Sequence, residues 1–208
     1  MPLLDWLNKP DAVRTVQKVP YRLLEAVPEL SAGDPDTENM LIQGDNLQAL
    51  KALLPLYAGK VKCIYIDPPY NTRSAFEYYD DNLEHSLWLS MMYPRLDLLR
   101  EFLSEDGLMC IQIDDNEFAH LFLICAEICG VSNLKVICVK MSEPSGLKMG
   151  TVKRLGTIPK LKEYIILCGK NGIKGLDIER IPKGTWDNEY NIFLDGLTKT
   201  DREQQFSL

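Results

Sequence analysis

The run KCIYIDPPYNT, residues 62–72, carries an apolar, strand-like stretch that stops abruptly at Asp67, Pro68, Pro69 and Tyr70. Each residue type contributes one chemical property. Pro68 and Pro69 have a fixed φ and no N–H, so the turn presents rigid carbonyls and no competing donor. Ionised Asp67 contributes acceptors only. Two acceptors on a rigid frame match an exocyclic amine, which offers two N–H donors, and Tyr70 adds a flat face for an aromatic ring to stack on. The stretch suits a flipped nucleobase held by its amine, adenine or cytosine. Two other apolar runs also end in acids: NMLIQ leads into Gly44-Asp45, and LMCIQI into Asp114-Asp115. Acids at strand ends also start loops and cap helices. Three together point to a site, because ligands of open α/β sheets bind beyond the carboxyl ends of the strands.

The elements that must position these residues alternate along the chain. Strands are expected at NMLIQ (39–43), VKCIYI (61–66), LMCIQI (108–113), LKVICVK (134–140) and KEYIILCG (162–169). Helices are expected at NLQALKALLPLY, at HSLWLSMMYPRLDLLREFL and at NEFAHLFLICAEICG. Leu47, Leu50, Leu53 and Leu54 share one face of the first helix. Pro94 is expected to kink or split the second, with Gly107 at its C-terminus, and Gly130 to close the third. Trp88, Met91 and Met92 fall at core spacing; His85 and His120 have no evident partner. The polar loop of about fifteen residues after Tyr70 is longer than most strand-to-helix loops, which suggests a functional role. The βαβα pattern predicts an α/β fold with a mostly parallel sheet and helices on both faces. Residues 1–37 read as a leader, 38–172 as the region of alternating elements, and 173–208 as the start of something else.

The bulk properties narrow the class. The chain has 208 residues, 46% hydrophobic and 25% charged, enough for an ordinary globular core. A formal charge of −7 argues against a protein that coats nucleic acid, while leaving room for a local basic groove. The segment GLKMGTVKRLGTIPKLK is the one clearly basic stretch, with Lys148, Lys153, Arg154, Lys160 and Lys162 and no acid. It reads as a solvated loop or, beside a base-flipping site, as a contact to the DNA backbone. Cys63, Cys110, Cys125, Cys129, Cys138 and Cys168 form no Cys-x-x-Cys pair and sit in or beside apolar runs, as buried free thiols do. No metal site is expected. The charged N-terminus lacks the form of a signal peptide, and no apolar run reaches membrane-spanning length, so a cytoplasmic protein is expected. No Gly-x-x-x-x-Gly-Lys occurs, which excludes a P-loop nucleotide enzyme.

DPPYNT after an apolar strand resembles the catalytic motif of amino-group DNA methyltransferases. The resemblance extends to ENMLIQGDNLQALKALLPLYAGKVKCIYIDPPYNT, WLSMMYPRLDLLREFLSEDGLMCIQIDDNE and KEYIILCGKN, which look like successive blocks of type III restriction–modification Mod subunits, β-class adenine-specific enzymes. It implies a partial class I, Rossmann-like methyltransferase fold over residues 38–172, followed by the beginning of a target-recognition region. It also implies S-adenosylmethionine as cofactor, double-stranded DNA as substrate and a restriction subunit as partner. Carried over by position, Asp67 and the Pro68 carbonyl accept from the adenine N6 amine, Pro69 stiffens the turn and Tyr70 stacks on the flipped base. Asn71 and Thr72 line the base pocket, and Asp45, with Asp67, lies at the cofactor. Asp114 and Asp115 are expected to be structural or helix-capping.

The family's glycine-rich cofactor motif is of the Phe-x-Gly-x-Gly type, and no Gly-x-Gly occurs among the 13 glycines. By analogy with the family, two further strands belong between the one ending at Asp45 and the one ending at Asp67. The expectation is therefore a partial sheet with exposed apolar edges, completed by a C-terminal segment, a homodimer or another chain. Two other readings stand beside a DNA adenine methyltransferase: an inactive or partner-dependent fragment, and a methyltransferase acting on an RNA base or a protein amide.

Overall fold

The computed structural model describes residues 4–34, 39–71, 84–141 and 161–173. The chain divides into two units, Met1–Lys174 and Gly175–Leu208, and every described residue lies in the first. Its main elements are α1 (Lys9–Lys18), α2 (Asn46–Tyr57), β1 (Val61–Ile66), α3 (His85–Phe102), β2 (Leu103–Ile113), α4 (Phe118–Cys129), β3 (Leu134–Lys140) and β4 (Lys162–Gly169).

The strands form one sheet in the order β1-β2-β4-β3. β1 pairs parallel to β2, whereas β4 is antiparallel to both β2 and β3. Three strands thus run one way, the direction expected of a largely parallel sheet, and β4 runs back between two of them. That reversal matters for the site. It brings the first residues of β4 to the rim where β1 and β2 end, with Ile113 opposite Tyr164.

Alternation along β2 sends Met109, Ile111 and Ile113 to one face, where they are fully buried with Ile64, Ile166 and Cys168. Trp88, Leu89, Met92 and Leu96 of α3, and Leu121, Ile124 and Cys125 of α4, complete this core. Helix α2 adds Leu50, Leu53 and Leu54 as its border, as their shared helical face predicts. Residues of the expected leader also join in. The Trp6 indole donates to Ser90 Oγ at 3.0 Å, and Lys9 Nζ pairs with Glu127 of α4 at 2.7 Å. The opposite face of β1 is exposed at Cys63 and Tyr65, and β3 is exposed at Val136, Ile137 and Cys138.

Four sequence expectations need correction. Residues 39–43 form no strand. Met40 and Leu41 are exposed, and no strand among the described residues lies beside them to accept their hydrogen bonds. Helix α3 passes through Pro94 without splitting, since burial of that turn in the core outweighs the lost backbone bond. Gly107 does not end α3 but lies inside β2. A Cβ there would stand 2.8 Å from the Val61 carbonyl oxygen and 2.9 Å from that of Ser104. The glycine therefore permits the close approach of β1 and β2. Gly107→Ala should destabilise the protein by about 1–3 kcal/mol, because both obstructing atoms are backbone. A lowered urea midpoint at unchanged slope would register this, and an unchanged midpoint would refute it. Finally, Cys63 and Cys138 are exposed, not buried, because they sit on the open faces of the two edge strands; all six thiols are free.

Candidate active site

The chain leaves β1 at Ile66 and enters Asp67-Pro68-Pro69-Tyr70-Asn71 at the rim of the sheet. Asp67 is exposed there, while Pro68, Pro69, Tyr70 and Asn71 are partly buried. The turn is held from below. The fully buried Trp88, in the first turn of α3, donates its indole N–H to the Pro69 carbonyl at 2.8 Å. Trp88 is thus the core residue its spacing predicts, and also a fastening for the turn. The Pro69 carbonyl is thus engaged within the protein, and Asp67 stands exposed at the rim beside Tyr70.

Tyr70 is held from the side. Its hydroxyl donates to Glu163 Oε2 at 3.1 Å, and that oxygen also accepts from Gln112 Nε2 at 2.7 Å. Burial, followed by the carboxylates of Asp67 and Glu163, pushes the Tyr70 phenol well above the ordinary tyrosine range. The hydroxyl therefore stays protonated and acts as a donor, which fixes the ring plane. Glu163 can do this only because β4 is antiparallel and begins at the rim where β1 ends.

Asn71 has a left-handed backbone, φ 57°, a conformation that asparagine adopts more readily than most residues. Its side-chain amide donates to Glu117 Oε1 at 2.7 Å. Glu117 is fully buried at the N-cap of α4, and it also contacts His85 Nδ1 through Oε1 at 2.6 Å and His120 Nδ1 through Oε2 at 2.8 Å. The two histidines left without a partner by sequence reasoning therefore share one carboxylate.

The remaining acids divide. Asp114 is fully buried and accepts from the Asn116 backbone N–H at 2.8 Å and from its side-chain amide at 3.0 Å, closing the turn that leads into α4. Asp115 accepts from Lys162 Nζ at 2.6 Å and from the Tyr164 hydroxyl at 2.9 Å. Asp45 caps α2 by accepting from Gln48 N–H at 3.0 Å, and its other oxygen faces Arg95 of α3 at 3.7 Å. Among the described residues, none of its hydrogen bonds or ion pairs reaches residues 67–71. Thr72, Lys148, Lys153, Arg154 and Lys160 lie outside the described residues.

Sequence reasoning found the turn itself and missed its supports: Trp88, Gln112, Glu117 and Glu163. The one local signal was the acid of DDNE directly before a helix, where Asp114 and Asp115 drew the attention and Glu117 did not.

The chain matches the family model described as DNA methylase, N6_N4_Mtase, over residues 61–205. It is 33% identical to the type III restriction–modification enzyme EcoPI Mod subunit of Escherichia phage P1, over 96% of this chain and 36% of that protein. It is 38% identical to the EcoP15I Mod subunit of Escherichia coli, over 81% of this chain and 30% of that protein. It is 42% identical to the probable HindVI Mod subunit of Haemophilus influenzae, over 68% of this chain and 18% of that protein. The chain thus spans about a third or less of the length of these curated relatives.

Proposed function

The chain belongs to the DNA methylase family whose model covers residues 61–205, and from that membership we propose that it carries the catalytic motif of a site-specific DNA adenine N6-methyltransferase of the type III Mod kind. The observation that carries this reading is the Asp67–Tyr70 turn, fastened at the sheet rim by Trp88 and Glu163. Asp67 and the Pro68 carbonyl accept the two N–H bonds of the adenine amine. That draws the nitrogen lone pair out of ring conjugation and aims it outward from the rim. Tyr70, its hydroxyl anchored, offers its face to the flipped base, and Asn71 and Thr72 border it. Rate enhancement then comes from positioning and fixed acceptors.

The cofactor in this reading is S-adenosylmethionine, which supplies an electrophilic sulfonium methyl group when bound. Asp67, exposed at the rim, would hold it together with Asp45, an exposed carboxylate fixed at the start of α2. The substrate is double-stranded DNA, with Lys148, Lys153, Arg154 and Lys160 meeting its phosphates. A restriction subunit is the partner suggested by the relatives' names. Residues 38–172 form the catalytic-motif region between the leader, 1–37, and a segment leading to target recognition, 173–208. A DNA-modifying role places the protein in the cytoplasm; among the described residues no helix is long and apolar enough to cross a membrane.

The test is calorimetric titration of the 208-residue chain with S-adenosylmethionine, followed by labelled-methyl transfer to duplex DNA, RNA and protein. Saturable binding weakened by Asp45→Ala, with label in N6-methyladenine, is the expected result. Failure to bind at millimolar cofactor would overturn the reading for this chain acting alone. Label in RNA or protein would overturn the substrate.

A further inference from the structure

Glu117 is fully buried, yet its carboxylate meets no lysine or arginine among the described residues. What surrounds it is a set of nitrogen ligands. His85 is the first residue of α3, and His120 lies in the first turn of α4. Each presents the same ring atom, Nδ1, one to each carboxylate oxygen, at 2.6 and 2.8 Å. The rings stand 4.8 Å apart, centre to centre. The three ligand groups lie within 4.8 Å of one another.

Two imidazoles and one carboxylate, convergent on one point, make a donor set for a borderline divalent ion, as zinc, cobalt and nickel are. Magnesium and calcium prefer oxygen-rich sets. The 2.7 Å bond from Asn71 to Glu117 Oε1 is the outer hydrogen bond that orients metal-bound carboxylates. We propose that His85, Glu117 and His120 form a site for a divalent transition metal of the zinc class, which ties Asn71 to the starts of α3 and α4.

Each Nδ1 stands at hydrogen-bond distance from one carboxylate oxygen. A neutral imidazole whose proton is carried on Nε2 turns the Nδ1 lone pair to the ion. Ligands at about 2.0–2.2 Å from zinc stand farther apart than hydrogen-bond distance, so the cluster must widen slightly. The His85 side chain, 58% exposed, is free to give way. The site stands on its own donor set and does not depend on the function proposed above.

The experiment is titration of the untagged 208-residue chain with Co2+ alone, read by visible absorption and calorimetry, then displacement with Zn2+. One ion per chain is expected. His85→Ala and His120→Ala should each weaken binding more than about tenfold, and Asn71→Ala by about tenfold, with far-ultraviolet circular dichroism unchanged. Because His85 is half-exposed, its variant should fold even where a change at Glu117 does not. No Co2+ spectrum at millimolar metal would overturn the proposal. So would binding that survives both histidine variants, since the ion would then sit elsewhere, on the thiols for example.

Discussion

Asp67→Ala should lower methyl transfer to adenine by about 10²–10³-fold while leaving the urea midpoint unchanged; the loss is that of one preorganised polar group at the reacting atom. The split follows from where Asp67 stands. It is exposed at the end of β1, and the Tyr70 hydroxyl that its carboxylate faces is also held by Glu163, so the turn stays fastened through Pro69 and Tyr70 when Asp67 is removed. Asp67→Asn is the sharper variant. It keeps the shape but turns one acceptor into an N–H donor, which opposes an amine that is itself a donor. Its rate should fall nearly as far as that of the alanine variant. Single-turnover incorporation of labelled methyl measures both. A rate near that of the parent chain in either variant would remove Asp67 from the chemistry.

Trp88→Ala should cost about 3–5 kcal/mol, the usual penalty for deleting a buried aromatic. Against a total stability of about 5–15 kcal/mol, that leaves a large unfolded fraction or none folded. Trp88 is fully buried, and its ring fills the space between α3 and the turn while its N–H satisfies the Pro69 carbonyl. Trp88→Phe separates the two contributions. It keeps most of the buried surface and leaves that carbonyl without its donor, for about 1–3 kcal/mol. If the indole N–H fixes the turn, Trp88→Phe should also slow methyl transfer at temperatures where it is fully folded. Denaturant titration with a parallel rate measurement decides this; a phenylalanine variant as stable and as fast as the parent would show that the bond holds nothing in place.

The helices and paired strands were legible because each carries its own periodic pattern. VKCIYI and LMCIQI became β1 and the end of β2, and NLQALKALLPLY became α2. NMLIQ carries a similar pattern but no strand, since a strand also requires a neighbour, which no single segment encodes. Nor does an apolar run state its direction, so the reversal of β4 was hidden in KEYIILCG. The site shows the same division. Asp-Pro-Pro-Tyr is contiguous and its chemistry could be read from residue types alone. Its supports are not contiguous: Glu163 lies 93 positions from Tyr70, and Glu117 lies 46 from Asn71. His85 and His120 gave no signal because only the packing of α3 against α4 makes them neighbours of one carboxylate.

The reversed strand also governs how quickly this sheet can assemble. β2 and β4 occupy its centre, yet their nearest paired residues, Ile113 and Tyr164, are separated by half a hundred positions of chain. β1 reaches β2 only after the whole of α3 has been laid down between them. No pairing in the β1-β2-β4-β3 order joins strands linked by a tight hairpin. Every ladder must therefore overcome the entropy of closing a long loop before its first hydrogen bonds compensate, which puts this chain among slow folders of high contact order. During that interval the apolar strands that end as a buried centre are open to other copies, and refolding yield should fall as protein concentration rises.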